Sequence, residues 1–343
     1  MPNPLRIAIA GAGQMGLAHA EAFRACGATV VAVVDRDPVR ARQLAASCGA
    51  AAFGTVEDAL REGPEALSIC LPHSLHFDAA MAAVAQGVAL LVEKPHCTTL
   101  EESRTLRQAC AEGGVPAMAG FTHRFLSSSL KLKAVVTSGR LGRINLAVDR
   151  LVANSLGDHA PAWYRERALA GGGIAMIGMI HSIDRLRWLL DAEITRVVAL
   201  TRPPVSSDDV ENTALALLEF SNGAQASLIA HRSPVTGHQR AHRYELFGEH
   251  LNASCSVGTF DHQELEFVGP DRPEREVIKD DRPFVAEIRE FTSALATGRA
   301  PTPSLLDAEI ALGAVLAIYE STQSHQPINL PEFLGHPAPL SRS

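Results

Sequence analysis

Near the start of the chain the apolar run "RIAIA" breaks into "GAGQMG", which places Gly11, Gly13 and Gly16 in the spacing GxGxxG. Few sequence features restrict a fold as much. A strand must turn sharply, let a pyrophosphate approach its backbone and enter a helix packed tightly against it. Gly11 allows the turn, Gly13 the approach and Gly16 the helix–strand contact, and the helix N-terminus favours negative charge. The next apolar run, "TVVAVVD", ends in Asp35, 19 residues after Gly16. A carboxylate there accepts hydrogen bonds from adenosine ribose hydroxyls and repels a 2'-phosphate, which favours NAD. Arg36 and Arg40 follow and are able to attract such a phosphate, so NADP stands as the alternative.

The glycine motif opens an alternating series. Residues 14 to 26 read as a helix, and "PVRARQLAASCG" as a helix opened by proline and closed by glycine. "ALSICLP" and "VALLVEKP" are further apolar runs, separated by the helical "SLHFDAAMAAVAQG". Buried runs with helices between them predict a doubly wound parallel sheet covered on both faces. After about residue 140 the pattern changes. "RINLAVDRLV", "ITRVVALT", "NTALALLEFS", "AQASLIAHR", "HRYELFG" and "LNASCSV" follow one another with little helix, several of them alternating. They predict a large, open, mostly antiparallel sheet. Helices are expected at 173–190, 284–297 and 304–322, and the Pro-rich tail "INLPEFLGHPAPLSRS" on the surface. The fold class is therefore α/β: an N-terminal Rossmann domain, 1–122, followed by an α+β domain, 123–330. The helix 304–322 is expected to pack back on the first domain. A length of 343 residues accords with two domains at about 150 residues each.

Composition removes other classes. Net charge is -7 and no Lys/Arg block appears, which argues against a nucleic-acid partner. "MPNPLRIAIAGAG" reads as a first strand and not as a signal peptide. No apolar run reaches the roughly 18 residues of a membrane helix, so no membrane partner is expected. Cys26, Cys48, Cys70, Cys97, Cys110 and Cys255 are scattered with no CxxC, which suggests free thiols in a reducing cytoplasm. The 14 histidines form no HExxH and no Cys/His cluster, so no metal site is expected.

The remaining candidates sit at strand ends. "VALLVEKPHCTT" ends a strand with Glu93, Lys94 and Pro95. Ligands of open α/β sheets bind outside the carboxyl ends of the strands, which would put Lys94 beside a nicotinamide. Spacing alone reads it as a surface lysine. "SICLPHSLH" brings Pro72, His73 and His76 to the same edge, as solvated loop residues or, for His76, facing the cofactor.

In this order GxGxxG, the Asp-terminated second strand, "LPHSLH", "EKP", "GFTHRF" and "GGG…H…D" resemble the glucose-fructose oxidoreductase/inositol dehydrogenase (Gfo/Idh/MocA) family. The resemblance covers most of the chain, including the helix "SLLDAEIALGAVLAIYEST". It implies a Rossmann domain and an α/β domain whose open sheet forms oligomer contacts. It also implies hydride transfer between NAD(P) and a hydroxyl or carbonyl of a sugar, polyol or cyclic diol. By the same resemblance Lys94 is the catalytic lysine, Pro95 follows a cis peptide bond, and His181 is the histidine at the substrate. The implied cofactor set is Gly11, Gly13, Gln14, Met15, Gly16, Asp35, Arg36, Leu71, Pro72, His73, His76, Glu93 and Lys94.

The chain departs from the family at two places. The family pattern GGGxLxDxGxH carries an acid one helical turn before the histidine, where this chain has Ile177; positions i and i+4 share a helix face. Asp184 matches a separate family position. The asparagine of a TPN-like motif is replaced by His73. A free lysine titrates near about 10.4, too high for a base at neutral pH, and burial or a cationic nicotinamide lowers that value. Lys94 is thus expected as acid/base and His181 as substrate orienter. For substrate contacts the candidates are His123 with Arg124, and His159, Trp163, Tyr164 and Arg165. An aromatic face suits the C–H side of a sugar and an arginine suits hydroxyls or a carboxylate. The same residues read equally as packing and surface groups, and Arg124 reads rather as structural. The expected function is an NAD(P)-dependent dehydrogenase forming a homodimer or homotetramer through the open sheet, which would otherwise need covering. Two alternatives stand beside it: an NAD(P)-binding regulator or sensor without turnover, and a sugar–sugar oxidoreductase that holds its cofactor tightly.

Overall fold

The structure, a computed structural model, describes residues 4–153, 161–202, 209–233 and 241–335. Contacts group the chain into two compact units, Met1–Thr122 with Pro283–Glu309, and His123–Arg282 with Ile310–Ser343.

The first unit holds six parallel strands: β1 (Arg6–Ala10), β2 (Thr29–Val34), β3 (Ala51–Phe53), β4 (Ala66–Ile69), β5 (Ala89–Glu93) and β6 (Ala117–Gly120). Their order is β3-β2-β1-β4-β5-β6. The direction of winding reverses between β1 and β4, and ligands bind at such a switch point. β4 and β5 are buried at every residue, which is why their sequences are continuously apolar. Local chemistry sets the helix ends. Asp37 caps Pro38–Cys48 by accepting from Val39 N–H, and Gly49 closes it with φ 70°. Thr99 and Glu102 form a reciprocal capping box on Leu100–Gly113.

The helix Pro283–Thr297, assigned to the second domain on sequence, belongs with the first unit. It packs on Gln14–Ala25, where the buried rings of Phe23 and Phe291 meet edge to face, centroids 6.2 Å apart. Such a pair adds about 0.5–1.5 kcal/mol beyond burial. The return of the chain after some 160 residues leaves no local trace in the sequence. In the helix Leu305–Ser324, Glu309 is buried and accepts from Arg107 at 2.8 Å.

The second unit is built on nine strands: β7 (Ile144–Ala153), β8 (Ile194–Arg202), β9 (Thr213–Phe220), β10 (Gln225–Arg232), β11 (Ala241–Gly248), β12 (Asn252–Thr259), β13 (His262–Val268), β14 (Glu274–Lys279) and β15 (Ile328–Asn329). The order is β14-β13-β12-β11-β7-β10-β9-β8-β15. Every pair is antiparallel except β7 with β10. Burial alternates along β9 to β12, one face packed and the other more exposed. The expected helix 173–190 is two pieces: a π-helical turn, Ala175–Met179, followed by the α-helix Ile180–Leu190. Among the described residues no helix is long and apolar enough to cross a membrane, no cluster of three metal-ligating side chains occurs, and all six cysteines are free thiols.

Candidate active site

The glycine loop does what its spacing demands. Gly11 has φ 102°, and a Cβ there would lie 2.3 Å from the Cys70 carbonyl oxygen. A Cβ on Gly16 would lie 1.8 Å from the Gly11 carbonyl oxygen. Gly13 differs: no atom stands within 4 Å of its Cβ position, and it is the N-cap of Gln14–Ala25 with no side-chain cap. Uncapped N–H groups at a helix N-terminus beside open space suit a pyrophosphate. Asp35 is buried; its Oδ2 accepts from Ala12 N–H at 2.9 Å and its Oδ1 from Asp37 N–H at 2.8 Å. A carboxylate has about four acceptor positions, so capacity for ribose hydroxyls remains. Arg40 stands 3.4 Å from Oδ1, and Arg36, Gln14 and the half-buried Met15 and Leu71 flank the loop ends. The residues present fit a dinucleotide.

Lys94 follows β5, and the Lys94–Pro95 peptide bond is cis. The loop is anchored from behind by Glu93, whose Oε2 accepts from Lys94 N–H at 3.1 Å. Glu93 Oε1 lies 3.0 Å from Nε2 of the fully buried His19, whose Nδ1 lies 2.8 Å from Ser68 Oγ. Burial opposes charge on both partners. The hydrogen bond and charge of His19 nevertheless hold Glu93 below the usual carboxylate range, and Cys70 and Glu93 hold His19 above the usual imidazole range. They form a buried ion pair. Glu287 lies in the same interior, accepting from Thr122 Oγ1 at 2.9 Å; burial and the charge of Glu93 push its carboxyl up to about 8. His76 lies between the loops after β4 and β5, with Nδ1 2.8 Å from Pro95 O and Nε2 2.8 Å from Leu71 O; burial favours the neutral ring, which donates to one of the two. His73 is buried and meets His76 edge to face at 5.7 Å. Pro72 precedes them in the same turn.

In the second unit Gly172 and Gly173 answer to packing, while Gly171 closes Arg167–Ala170 with φ 76°. A Cβ on Gly172 would lie 2.1 Å from Tyr319 Oη, and one on Gly173 1.9 Å from the Glu211 carbonyl oxygen. The buried carboxylate of Glu211 caps the helical start, accepting from Gly173 N–H at 2.8 Å, Ala175 N–H at 3.0 Å and Tyr319 Oη at 2.9 Å. Ile177 is buried within the π turn.

His181 is half-buried, and its ring stacks on that of His123, centroids 3.9 Å apart and planes 15° apart. Behind the stack lies a buried polar group. Arg185 Nη1 is 3.1 Å from His123 Nδ1, and Nη2 pairs with Asp149 and lies 2.8 Å from His242 Nε2. Ser182 Oγ donates to Asp149 at 2.8 Å. Burial works against the Asp149 charge, yet Arg185 and His242 hold its carboxyl well below the usual range. Arg124 makes a bidentate bond to Asp184, at 2.8 and 2.5 Å, which accords with a structural role. Trp163 is half-buried with its ring 4.4 Å from Tyr164, and the Arg165 side chain is exposed. His159 lies outside the described residues.

Sequence reading missed His19, Glu287, Glu211, Asp149, Arg185 and His242. Asp149 and His242 did leave a signal: each stands at an inward position of an alternating strand, where an unpaired polar group is costly.

Two family models match the chain. "Oxidoreductase family, NAD-binding Rossmann fold" covers residues 5–121, and "GFO/IDH/MocA C-terminal domain" covers residues 129–253. Among curated relatives, scyllo-inositol 2-dehydrogenase (NAD(+)) of Bacillus subtilis (strain 168) is 28% identical over 96% of this chain and 97% of its own. Inositol 2-dehydrogenase 2 of Saccharopolyspora erythraea is 33% identical over 64% of each. Among solved structures, levoglucosan dehydrogenase in complex with NADH superposes with a TM-score of 0.88 over 96% of this chain and 100% of that one, at 21% identity, a likeness of fold.

Proposed function

Because the chain belongs to the Gfo/Idh/MocA family of NAD-binding oxidoreductases, we propose that it is a dehydrogenase acting on a hydroxyl of a polyol, sugar or cyclic diol, with Lys94 as acid/base and His181 orienting the substrate. NAD, when bound, supplies the hydride acceptor. The chain supplies proton transfer and position. Lys94 Nζ takes the proton of the reacting hydroxyl and returns it to the carbonyl in the reverse direction. Glu93 handles no substrate proton; its carboxylate is committed to His19 and to the Lys94 backbone, and holds the loop. His181 meets the substrate hydroxyls through its imidazole. The proposed cofactor set is the one that the family resemblance implies, with Asp35 selecting NAD over NADP.

The observation that carries this reading is the Glu93–Lys94–Pro95 loop at the carboxyl end of β5, tied down by a buried ion pair. The near full-length likeness to a relative named as an inositol dehydrogenase supports it. The test is a panel of inositols, sugars and cyclic diols, run separately with NAD and NADP and read by reduced-nicotinamide absorbance. Turnover with NAD on a member of the panel is expected. Ile177, buried where the family pattern has an acid, favours a second reading as an NAD-binding regulator. Tight NADH binding with no turnover across the panel would select it.

We also infer a homodimer or homotetramer in the cytoplasm. Leu200 faces Leu215 and Val198 faces Leu217 across β8 and β9, all exposed, with Leu146 lining the same patch. An apolar face of this kind is covered in a stable protein. Sedimentation at micromolar concentration checks it, and a monomer would contradict it.

A further inference from the structure

The stacked pair His123–His181 raises a question of protonation. Two imidazoles with centroids 3.9 Å apart and planes within 15° do not both carry a charge at small cost. The surroundings of His123 bear on which one stays neutral. Arg185 Nη1 lies 3.1 Å from His123 Nδ1. A guanidinium only donates, so Nδ1 must accept; His123 then carries its single proton on Nε2. Charging His123 would set a second cation against Arg185.

Arg185 is not free to move away. It is fully buried, its Nη2 pairs with Asp149, and its guanidinium carbon lies 3.9 Å over the Tyr244 ring. Asp149 is fixed in turn by Ser182 Oγ at 2.8 Å and by His242 Nε2 at 3.1 Å. Phe260 meets the His123 ring edge-on at 5.8 Å. Asp149, His242 and Tyr244 stand on β7 and β11, while Arg185 lies one turn after His181 on the same helix. The imidazole at 123 is therefore clamped by the sheet through one arginine.

We propose that His123 is a positioning residue: Arg185, anchored by Asp149, holds it as the neutral Nε2–H form, and its ring sets the plane of the His181 imidazole. The proposal rests on the reading of His181 as substrate orienter and gives it a support that Ile177 cannot. An aliphatic side chain makes no hydrogen bond to an imidazole, whereas a stacked ring fixes its tilt. His123 thereby moves from candidate substrate contact to support of the residue that makes the contact.

The test does not depend on turnover. Long-range nitrogen–proton correlation spectra of the imidazoles in the free protein report the tautomer of each ring. His123 is expected as the neutral Nε2–H form at neutral pH; an Nδ1–H form or an imidazolium overturns the proposal. In the same spectra the ring protons of His181 are expected to carry a ring-current displacement that His123→Phe keeps and His123→Ala loses. Equal displacement in both variants overturns the proposal. With a substrate in hand, His123→Ala is expected to lose about 100-fold in kcat/KM, the scale of a misplaced contact group, mostly in KM. His123→Phe restores most of it, and NADH affinity stays unchanged in both. If wild type turns nothing over, the spectra still decide the role of His123, so the two readings fail separately.

Discussion

Glu287 gives the sharpest test of the buried interior behind Lys94. An ordinary glutamate titrates at 4.5, and Glu287, buried and facing the charge of Glu93, at about 8. The folded state thus favours the protonated carboxyl. The stability this group contributes is complete below pH 4.5 and is lost as pH rises toward 8. At about 1.4 kcal/mol per unit, the loss between pH 5 and pH 8 comes to about 3 kcal/mol. Glu287→Gln removes the titration while its carbonyl oxygen still accepts from Thr122 Oγ1. Any change in amide hydrogen bonding adds an offset of about 1–3 kcal/mol that does not vary with pH. The informative quantity is therefore the difference between variant and wild type as a function of pH. Hydrogen exchange of the β5 amides measures it locally, and comparison at equal pH cancels the intrinsic exchange rate. The variant is expected to gain about 3 kcal/mol on wild type from pH 5 to pH 8. Parallel pH profiles for the two proteins would refute a protonated, buried Glu287 and with it the charge balance assigned to the His19–Glu93 pair.

The glycine loop separates packing from binding. Gly16→Ala forces a methyl to 1.8 Å from the Gly11 carbonyl oxygen and is expected to cost about 1–3 kcal/mol by calorimetry. Gly13→Ala, with no atom within 4 Å but at a helix N-cap, is expected to cost no more than about 1 kcal/mol while weakening NADH binding in a fluorescence titration. Asp35→Asn, which keeps an acceptor for Ala12 N–H and removes the charge beside Arg40, is expected to shift the NADPH-to-NADH affinity ratio toward NADPH by about 10- to 100-fold, one charged hydrogen bond. Arg185→Met strands the Asp149 carboxylate in the interior and is expected to cost about 3–5 kcal/mol in urea unfolding.

The first sheet was legible because its determinants are local. Gly11, Gly13, Gly16 and Asp35 sit at fixed offsets from two apolar strands, and Asp37 and Thr99 cap the helices that follow them. The central strands of the second sheet were legible by alternation. β13 and β14 were not: "HQELEFV" and "EREVIK" are dense in charge, and β14 is the edge of the sheet. The residues that tune the site were hidden for a different reason. His19 pairs with Glu93 across 74 residues and Arg185 with Asp149 across 36, and nothing in the neighbourhood of either member names the other. The triple glycine at 171–173 was read as a motif; Gly172 and Gly173 lie against Tyr319 and Glu211, and Gly171 turns left-handed at φ 76°. Arg124, weighed between substrate and structure, sits in a bidentate bond to Asp184 that the sequence does not announce.

The central claim is that Lys94 moves the substrate proton in an NAD-dependent oxidation. The direct measurement is steady-state turnover of Lys94→Met on the best polyol of the panel, beside an NADH titration of the same variant. The loss of a general acid/base predicts turnover lower by about 10²- to 10⁴-fold with NADH affinity near that of wild type. Wild-type turnover by Lys94→Met, with cofactor binding intact, would contradict the account.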